Sequence, residues 1–514
     1  MAETAILVSV VLAVVVILVQ LSFRNRSRRK GFPYPPGPPA NFLWGNAFQI
    51  PQKGLAQVFS KWGKEYQSDI LHASAFGKHI VVLNSRTLAE ELLEERAAIY
   101  SDRPQFPVVK LMGWDYILVF MNYGNFWRQH RKICQQNFNK LAAQRYWPVQ
   151  LELTHDFLRN LLDTPENTWD HIQTLSFSLG LSTMYGYKPD SLEDPVIRVN
   201  DQLMAIGSGL LTSWVNYVPV LRYIPSWMPG ASTNKIAKYV KNTTEIMKRI
   251  PTEHIEKQFK EGTARPSLMT DFLEKKATIG ATTDEEEETK RVAWTVYGSA
   301  SDTTICATEA LFHILVKHPE VQKKAQEEID RVVGFERLPD FNDRESLPYV
   351  EAVYRELMRH SPIAQTGFAH ALSEDDVYNG YFLLKGATVM ANIWGMTHDE
   401  NVYSEPFSFK PERFLDGDGK LNDDSRILVY GFGRRICVGM HVASAALWLT
   451  IVSVLACFNL TQALDDLGNP IEVDDGYIDC VTLIHKKPFK FALKSRSQIV
   501  TNMIEATANR GTEL

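Results

Sequence analysis

An uncharged, mainly apolar stretch occupies residues 4–23 of the chain. At about 1.5 Å per residue, a helix of this length matches the roughly 30 Å hydrocarbon core of a bilayer. Five basic residues follow it, as at the cytosolic end of a membrane span: Arg24, Arg26, Arg28, Arg29 and Lys30. The pattern predicts a single transmembrane anchor with the rest of the chain in the cytosol. A cleaved signal peptide and a buried core helix are the alternatives.

Residues 24–39 form a basic stop and a proline-rich hinge, whereas residues 40–514 show no repeat and no second linker of this kind. Each proline fixes its own φ angle and biases the preceding residue toward extended backbone, so the hinge is predicted to be stiff. A plain spacer is the alternative. Beyond the hinge, β-type segments are short (79–85 and 377–392), and most of the remainder has helical periodicity. We therefore predict a single, mainly α domain with small β-sheets.

Two long apolar helices are predicted in this domain. The first, at roughly 285–317, begins in an acidic run that suits the positive end of a helix dipole. Its middle, residues 298–304, carries hydroxyls and a carboxylate between apolar flanks, which favours a functional patch over a solvated face or a kink. The second, residues 440–458, is apolar enough to cross a membrane, but it lacks a basic stop. It is predicted to be a buried core helix.

Composition narrows the class of protein. Of the 514 residues, 45% are hydrophobic and 22% charged, which excludes a mainly disordered, collagen-like or coiled-coil chain. A formal charge of −5, without basic stretches interleaved with aromatics, argues against a nucleic-acid partner. Five widely spaced cysteines without a C-x-x-C pair indicate neither a disulfide framework nor a zinc knuckle. We therefore expect the chemistry to take place in a reducing compartment.

Residues 430–439, with the sequence YGFGRRICVG, carry the strongest chemical signal. Gly433 and Gly439 would let the backbone approach a flat ligand closely. Arg435 could pair with a carboxylate and favour the thiolate form of Cys437. A soft, negatively charged sulfur in such a loop is what iron in a porphyrin needs as an axial ligand. An ordinary buried cysteine is the alternative.

This stretch resembles the haem-binding signature F-x-x-G-x-R-x-C-x-G of the cytochrome P-450 superfamily, with Tyr430 in place of the phenylalanine. Further marks of the superfamily follow in the expected order over residues 33–491. The resemblance implies a cytochrome P-450 fold preceded by one transmembrane helix, with haem b bound through Cys437. The hydroxyl of Tyr430, beside the sulfur, then needs a hydrogen-bond partner.

Three other residues resemble a structural network of the family. Glu356 and Arg359 match its E-x-x-R pair, whose i, i+3 spacing puts acid and base on one face of a helix. Arg413, in the sequence FKPERF at 409–414, matches the arginine that joins this pair in a buried ion network. The resemblance implies that these three residues hold the structure and take no part in the reaction.

Three more residues resemble the family's contacts to the haem propionates. Trp127 and Arg131 match the W-x-x-x-R helix, in which both side chains contact one propionate, although an ordinary amphipathic helix would show the same spacing. His370 follows Pro362 at the position where relatives carry a basic residue for the other propionate. The resemblance thus implies cofactor binding by residues far from Cys437 in the chain.

The patch in the first apolar helix resembles the oxygen-binding element A/G-G-x-D-T-T of the family. Asp302 and Thr303 match its acid and alcohol and are predicted to deliver protons, since cleavage of the O–O bond needs two protons relayed into a dry pocket. Ser299 and Ala300 replace the small residue and the glycine of the pattern. The helix opening beside the iron is therefore predicted to differ in width or in hydrogen bonding.

The resemblance implies a monooxygenase that uses haem b, O2 and electrons from NADPH. Because the chain has no G-x-G-x-x-G fingerprint and no spare length for a flavin module, it implies a separate NADPH–cytochrome P-450 reductase. Cytochrome b5 is a second candidate partner. Arg128, Lys132 and Arg434 are candidates for docking an acidic partner surface. An anchored enzyme of this kind is expected in the endoplasmic reticulum membrane with a cytosolic catalytic domain.

Within the superfamily the likeness is to fungal microsomal enzymes, in particular basidiomycete members described as similar to O-methylsterigmatocystin oxidoreductase, and it rests on residues 374–386 and 432–437. The apolar and aromatic segments 106–117 and 208–230 are predicted to line a pocket for a small lipophilic substrate, either a fungal secondary metabolite or a foreign compound. The second segment could equally enter the membrane surface. Two alternatives stay open: a haem-thiolate isomerase or dehydratase that needs no reductase, and a membrane-anchored haem-binding protein without turnover.

Overall fold

The computed structural model describes residues 28–189, 191–225, 227–228, 231–480 and 483–508. The predicted anchor at residues 4–23 lies outside the described residues. Most of the described chain is helical and its strands are short, so the prediction of a mainly α fold with small sheets is confirmed.

The helices and strands follow one another along the chain without a change of architecture. The α-helices are α1 Leu55–Tyr66, α2 Arg86–Glu90, α3 Ala97–Tyr100, α4 Pro107–Leu111, α5 Asn125–Phe138, α6 Trp147–Asp163, α7 Thr168–Tyr185, α8 Pro195–Leu210, α9 Ser232–Glu261, α10 Leu268–Ile279, α11 Thr283–Lys317, α12 Pro319–Val332, α13 Pro348–His360, α14 Ile393–Thr397, α15 Met440–Cys457 and α16 Gln498–Ala506. The strands are β1 Ile70–Ala75, β2 Lys78–Leu83, β3 His370–Ala371, β4 Asp376–Tyr378, β5 Tyr381–Leu383, β6 Thr388–Ala391, β7 Phe458–Gln462, β8 Tyr477–Cys480, β9 Leu483–Lys486 and β10 Phe491–Ser495.

The longest helix, α11, crosses the core. Thr282 and Glu285 form a capping box at its start, in which the Glu285 N–H donates to the Thr282 hydroxyl and the Thr282 N–H donates to the Glu285 carboxylate. Residues 305–316 are buried without a break, and α11 packs most extensively against α7. The helix predicted at roughly 285–317 is therefore present as a core element.

Helix α15 is the described helix whose length and composition would let it cross a membrane, and 67% of that apolar window is buried inside the protein. Its residues 445–457 are all buried, packed among α6, α12 and α13. A helix that is apolar on every side belongs in the core of a large protein when other helices surround it. The prediction of a buried core helix is confirmed.

The largest sheet has the strand order β1-β2-β6-β3, with β2 and β6 parallel and the other pairs antiparallel. The proline hinge lies against this sheet and against β5: the His72 N–H of β1 donates to the Pro36 carbonyl at 2.9 Å, and the Phe382 N–H of β5 donates to the Pro33 carbonyl at 2.7 Å. Gly37 approaches β1 so closely that a Cβ atom would lie 2.0 Å from the His72 oxygen. The hinge is thus fixed to the sheet by hydrogen bonds that a plain spacer would not need.

Two smaller antiparallel pairs follow α15 in the chain. Strands β7 and β10 pair with each other, and β8 pairs with β9 in a hairpin. Strand β9 packs along α11, which brings the C-terminal part of the chain to the polar patch in the middle of the central helix.

Candidate active site

The Cys437 loop, residues 430–439, ends where α15 begins. The Cys437 N–H donates to the Tyr430 carbonyl at 2.8 Å, which closes the loop on itself. Burial raises the pKa of the Cys437 thiol, whereas the N–H groups of Gly439 and Met440 and the charge of Arg131 act in the opposite direction. The residue is nevertheless exposed. The Cys437 side chain thus lies deep among protein atoms and still has accessible surface. It therefore borders an open space next to the core.

The two glycines of the loop differ in their surroundings. A Cβ atom on Gly433, whose φ is 55°, would lie 2.1 Å from the Leu93 carbonyl oxygen, so close packing requires glycine there. The Gly433 N–H also donates to the Glu94 carboxylate at 3.0 Å. A Cβ on Gly439 would meet no atom within 4 Å. Approach of a flat ligand, the reason drawn from the sequence for both glycines, suits Gly439, whereas Gly433 serves the contact with residues 93–94.

Tyr430 finds the partner that its hydroxyl needs. Its hydroxyl lies 3.1 Å from that of Tyr354 in α13. Burial raises the pKa of Tyr430 well above its usual range, and Tyr354 and Cys437 act in the same direction. The phenol is therefore neutral and hydrogen-bonded. Tyrosine keeps the aromatic ring of the signature, and its additional hydroxyl is satisfied by Tyr354.

Three arginines converge near Cys437 with backbone carbonyls as their hydrogen-bond acceptors. Arg435 donates to the carbonyls of Ser101, Leu118 and Met121 at 2.7–3.2 Å. Arg131 donates to the Ile436 carbonyl at 2.6 Å, and Arg103 donates to the carbonyls of Phe368 and Ala369 at 2.7 and 2.6 Å.

Burial acts on all three guanidinium groups. It lowers the pKa of Arg103 to about 9 and that of Arg435 to about 10, and it also lowers the pKa of Arg131. Among the described residues, no carboxylate forms an ion pair with any of them. Buried charges are normally paired, so three unpaired guanidiniums indicate a binding site for an anion.

Trp127 and His370 lie beside these arginines. The guanidinium of Arg435 is 4.6 Å from the centre of the Trp127 ring, that of Arg131 is 6.0 Å away, and the buried Trp127 Nε1 has no hydrogen-bond partner among the described residues. His370 Nδ1 lies 2.8 Å from the Tyr100 carbonyl, and burial together with Arg103 lowers the pKa of His370 to about 3.

His370 is therefore neutral, and the cation at this position is Arg103. Sequence reasoning missed Arg103 because it lies in a loop between Asp102 and Pro104 without any periodic pattern. Its partners, the carbonyls of Phe368 and Ala369, lie more than 260 residues away in the chain.

The residues around Cys437 fit haem. A thiol faces accessible space at the end of a loop, Gly439 leaves room beside it, and an indole N–H without a partner lies among three cations without counterions. The two propionates of haem are anions that would pair with those groups, and a thiolate is an axial ligand of haem iron. The donor set thus suits one flat ligand with two carboxylates.

Glu356, Arg359 and Arg413 meet in a buried cluster. Arg359 Nε lies 2.6 Å from Glu356 Oε2, its Nη2 lies 2.8 Å from Glu356 Oε1, and Arg413 Nε lies 3.1 Å from the same oxygen. Both arginines also donate to backbone carbonyls, including that of Ser408. Removing one partner of such a buried set costs about 3–5 kcal/mol, because the others stay buried without a counterion.

Thr303 and Asp302 point to different partners. The Thr303 hydroxyl donates to the Ser299 carbonyl at 2.9 Å, and the Ser299 hydroxyl donates to Thr295 at 2.8 Å, so the helix stays unbroken. Asp302 Oδ1 lies 3.0 Å from His485 Nε2 in β9. The structure gives no hydrogen bond between the described side chains of Asp302 and Thr303. Sequence reasoning missed His485, which lies in no motif.

The two segments predicted to line a pocket have different environments. Residues 108–117 contribute buried side chains to a cluster that reaches Trp294 of α11, and Trp114 Nε1 donates to Thr244 at 2.9 Å. In the segment 208–228, by contrast, the described large side chains are mostly exposed: Trp214, Tyr217, Val218, Val220, Tyr223, Trp227 and Met228.

The three predicted docking cations, Arg128, Lys132 and Arg434, are exposed. The guanidiniums of Arg128 and Arg434 lie 5.0 and 5.1 Å from the centre of the Tyr123 ring, and Arg434 also donates to the Tyr123 hydroxyl at 2.6 Å. Two of the three cations are thus held on one surface next to the Cys437 loop.

Comparison with known proteins assigns the chain to a family. The family model described as Cytochrome P450 matches residues 35–491, which is most of the chain. The protein therefore belongs to the cytochrome P450 family and is an oxidoreductase.

Its curated relatives include several fungal enzymes. Cytochrome P450 monooxygenase COX2 of Coprinopsis cinerea is 37% identical over 493 residues, covering 94% of this chain and 93% of the relative. Cytochrome P450 monooxygenase 98 of Postia placenta is 36% identical over 94% of both chains. Cytochrome P450 monooxygenase ppsD of Aspergillus oryzae is 35% identical over 98% of this chain and 96% of the relative. The chain is thus a cytochrome P450 monooxygenase similar to those of fungi.

Proposed function

We propose that this monooxygenase inserts one oxygen atom from O2 into a small lipophilic substrate, with electrons that come from NADPH through a separate reductase. The observation that carries the proposal is the Cys437 thiol beside three arginines that lack counterions, of which Arg103 and Arg435 are buried and Arg131 is partly buried. The role in fungal secondary metabolism or in the oxidation of foreign compounds is part of the proposal and rests on the likeness to fungal relatives.

The residues around Cys437 would hold haem b. Cys437 would supply the sulfur ligand, Arg131 and the Trp127 N–H would bind one propionate, and Arg103 and Arg435 would add positive charge for the carboxylates. When bound, haem supplies the iron that activates O2 for transfer of an oxygen atom to carbon. Thr303 orients a hydroxyl at the central helix and Asp302 supplies a carboxylate for protons. Glu356, Arg359 and Arg413 keep the surrounding helices in place.

The substrate would lie against the central helix on the side of Trp294. The cluster formed there by residues 108–117 and the helices α8 and α9 is apolar and aromatic, with buried side chains of Val108, Met112, Trp114, Leu203 and Met247. An apolar wall with few polar groups selects small lipophilic molecules and discriminates weakly among them.

The protein would lie on the cytosolic face of the endoplasmic reticulum membrane, anchored by residues 4–23. Phe76, in the turn between β1 and β2, contacts Trp214 and Tyr217 at ring distances of 5.9 and 5.8 Å. Exposed Phe42 and Phe48 lie in the segment that follows the hinge. Exposed aromatic side chains on these two segments suit the interface between lipid and water.

The test is the carbon monoxide difference spectrum of the reduced, detergent-solubilised protein, followed by NADPH consumption with a fungal reductase. We expect a strongly red-shifted Soret band from the wild type and none from Cys437→Ser. Cys480→Ser, which removes another exposed cysteine, is the matched control and should keep the band.

Each alternative predicts a different result. A haem protein that shows the band but consumes no NADPH with the reductase would be an isomerase, a dehydratase or a haem-binding protein without turnover. A chain without haem, or with a band typical of histidine ligation, would contradict the proposal.

A further inference from the structure

The C-terminal hairpin brings a histidine to the acid of the central helix. His485 of β9 faces Asp302, Cys306 and Glu309 of α11, whose i, i+4, i+7 spacing puts them on one helical face. His485 Nε2 lies 3.0 Å from Asp302 Oδ1 and 3.4 Å from Cys306 Sγ, while His485 Nδ1 lies 3.2 Å from Glu309 Oε2. Each ring nitrogen is therefore engaged by a carboxylate.

The ring carries a positive charge in this setting. Burial alone would lower the pKa of His485, but hydrogen bonds to Asp302, Cys306 and Glu309 raise it well above its usual range. Burial raises the pKa of the Cys306 thiol to about 12, so that sulfur is a neutral neighbour.

Other titratable groups also face this cluster. Burial and Asp302 raise the pKa of Asp201 in α8, whereas His485 lowers it. Burial raises the pKa of the Cys480 thiol in β8, and His485 acts in the opposite direction. His485 thus balances three carboxylates: those of Asp201, Asp302 and Glu309.

The two carboxylates that contact the ring have different freedom. Glu309 is buried and its Oε2 also accepts the Lys486 N–H at 3.2 Å, so it fixes the ring from the hairpin side. The Asp302 side chain is 49% exposed, so of the two carboxylates that contact His485 it is the one that has room to rotate. A second partner on Nδ1 commonly fixes the orientation of a functional imidazole.

We propose that His485 is a positioning residue for proton delivery: it holds the Asp302 carboxylate against the hairpin in an ion pair, and this ion pair has to open before Asp302 can act beside Thr303. The inference rests on the proposed function, since only an oxygen-activating enzyme needs this proton path. Thr303, whose hydroxyl is bonded back to Ser299, is one residue away on the same helix.

A double-mutant cycle in the melting temperature of the haem-loaded, full-length protein tests the ion pair without any turnover. We compare Asp302→Asn, His485→Gln and the combined variant at one heating rate. The effects of the single changes should fail to add by about 1–3 °C, as expected for two charges in direct contact.

His313→Gln is the matched control for the cycle. Its ring, also on α11, contacts the carboxylate of Asp475 at 3.0 Å, at a position about 16 Å along the helix from Asp302. The effects of His313→Gln and Asp302→Asn should add. Additive effects of His485→Gln and Asp302→Asn would overturn the proposal.

The second readout is the ratio of hydrogen peroxide formed to NADPH consumed with the reductase, without added substrate, between pH 6 and pH 8. Hydrogen bonds to its neighbours raise the pKa of His485 well above this range, so the ring stays charged, the ion pair persists and we expect a nearly constant ratio in the wild type. In His485→Gln, Asp302 faces the carboxylates of Asp201 and Glu309 without a positive charge between them, and the ratio should change severalfold with pH.

His485→Lys keeps a positive charge and should restore the flat profile. Identical pH profiles for the wild type and His485→Gln would overturn the positioning role. Failure of the proposed function is a separate result. It would appear as wild-type protein that consumes no NADPH, whereas the melting-temperature cycle tests the ion pair whether or not the protein turns over.

Discussion

The Cys437 loop and the segment 208–228 are held in opposite ways. Around Cys437, Arg435 alone bonds to three backbone carbonyls from two other segments, and its ring neighbour Trp127 is buried. In the segment 208–228, Asn216 is the main long-range anchor: its side chain accepts from the Val108 N–H and its carbonyl accepts from Lys78, while its amide also donates to the nearby carbonyls of Leu210 and Leu211. The large apolar side chains of this segment face outward.

The Cys437 loop therefore has the properties of a site for one specific ligand, whereas the segment 208–228 has those of a surface that can contact different molecules. The hydrogen bonds among buried polar groups near Cys437 fix a single conformation. The positive charges there lack counterions and destabilise this region until an anion binds. A segment with exposed apolar side chains can adapt to lipid or to substrates of different shape at small cost. Substitutions should therefore have large effects on the first region and small effects on the second.

Arg435→Leu should produce the largest effect. The change leaves the buried carbonyls of Ser101, Leu118 and Met121 without their donor, and each unsatisfied buried group costs about 1–3 kcal/mol. We expect the melting temperature to fall by about 3–6 °C and the haem content per polypeptide to fall with it. Differential scanning fluorimetry and the haem absorbance of the purified protein measure the two effects.

The neighbouring residue Arg434 provides the control. Its exposed side chain bonds to the Tyr123 hydroxyl, so Arg434→Leu should change the melting temperature by less than about 1 °C. If Arg434→Leu and Arg435→Leu proved equally harmful, the contrast between buried and exposed arginines would be wrong.

The central helix shows what sequence could predict. The region 285–317 was predicted close to its observed bounds, Thr283–Lys317, because an acidic start and long apolar flanks both act locally. The Cys437 motif was found for the same reason, since its glycines, arginine and cysteine are close together in the chain. Local patterns of this kind can be read without a structure.

The groups that sequence missed act across long distances. Arg103 bonds to residues 368–369, and His485 contacts the central helix about 180 residues earlier in the chain. Neither has a periodic or spaced partner that would mark it. The lowered pKa of His370 also depends on burial by distant elements, which its residue type alone could not indicate.

Acid should destabilise the Cys437 side of the protein. Burial lowers the pKa of His130 to about 4 and that of His370 to about 3, whereas in the unfolded chain both titrate near 6.5. Below that pH the unfolded state binds protons that the folded state excludes. Stability is therefore lost as pH falls from about 6.5 toward 4, by up to about 1.4 kcal/mol per pH unit for each histidine.

His130→Gln isolates one such contribution. The His130 ring lies in α5 with Nδ1 3.1 Å from the Phe126 carbonyl and no partner on Nε2. Between pH 6.5 and pH 5.5 the melting temperature of the variant should fall by about 1 °C less than that of the wild type. An equal fall in both proteins would mean that His130 accepts a proton in the folded state.

Trp214→Ser and Trp227→Ser should have the smallest effect on stability. Their side chains are 64% and 81% exposed, and surface substitutions usually change the free energy of unfolding by less than about 0.5 kcal/mol. The melting temperature in detergent and the carbon monoxide spectrum should therefore match the wild type. Reconstituted in vesicles of brominated lipid, however, both variants should lose part of the tryptophan quenching, because these rings lie on the aromatic surface proposed to meet the membrane. Unchanged quenching in both variants would place the segment 208–228 in water and leave substrate binding as its remaining predicted role.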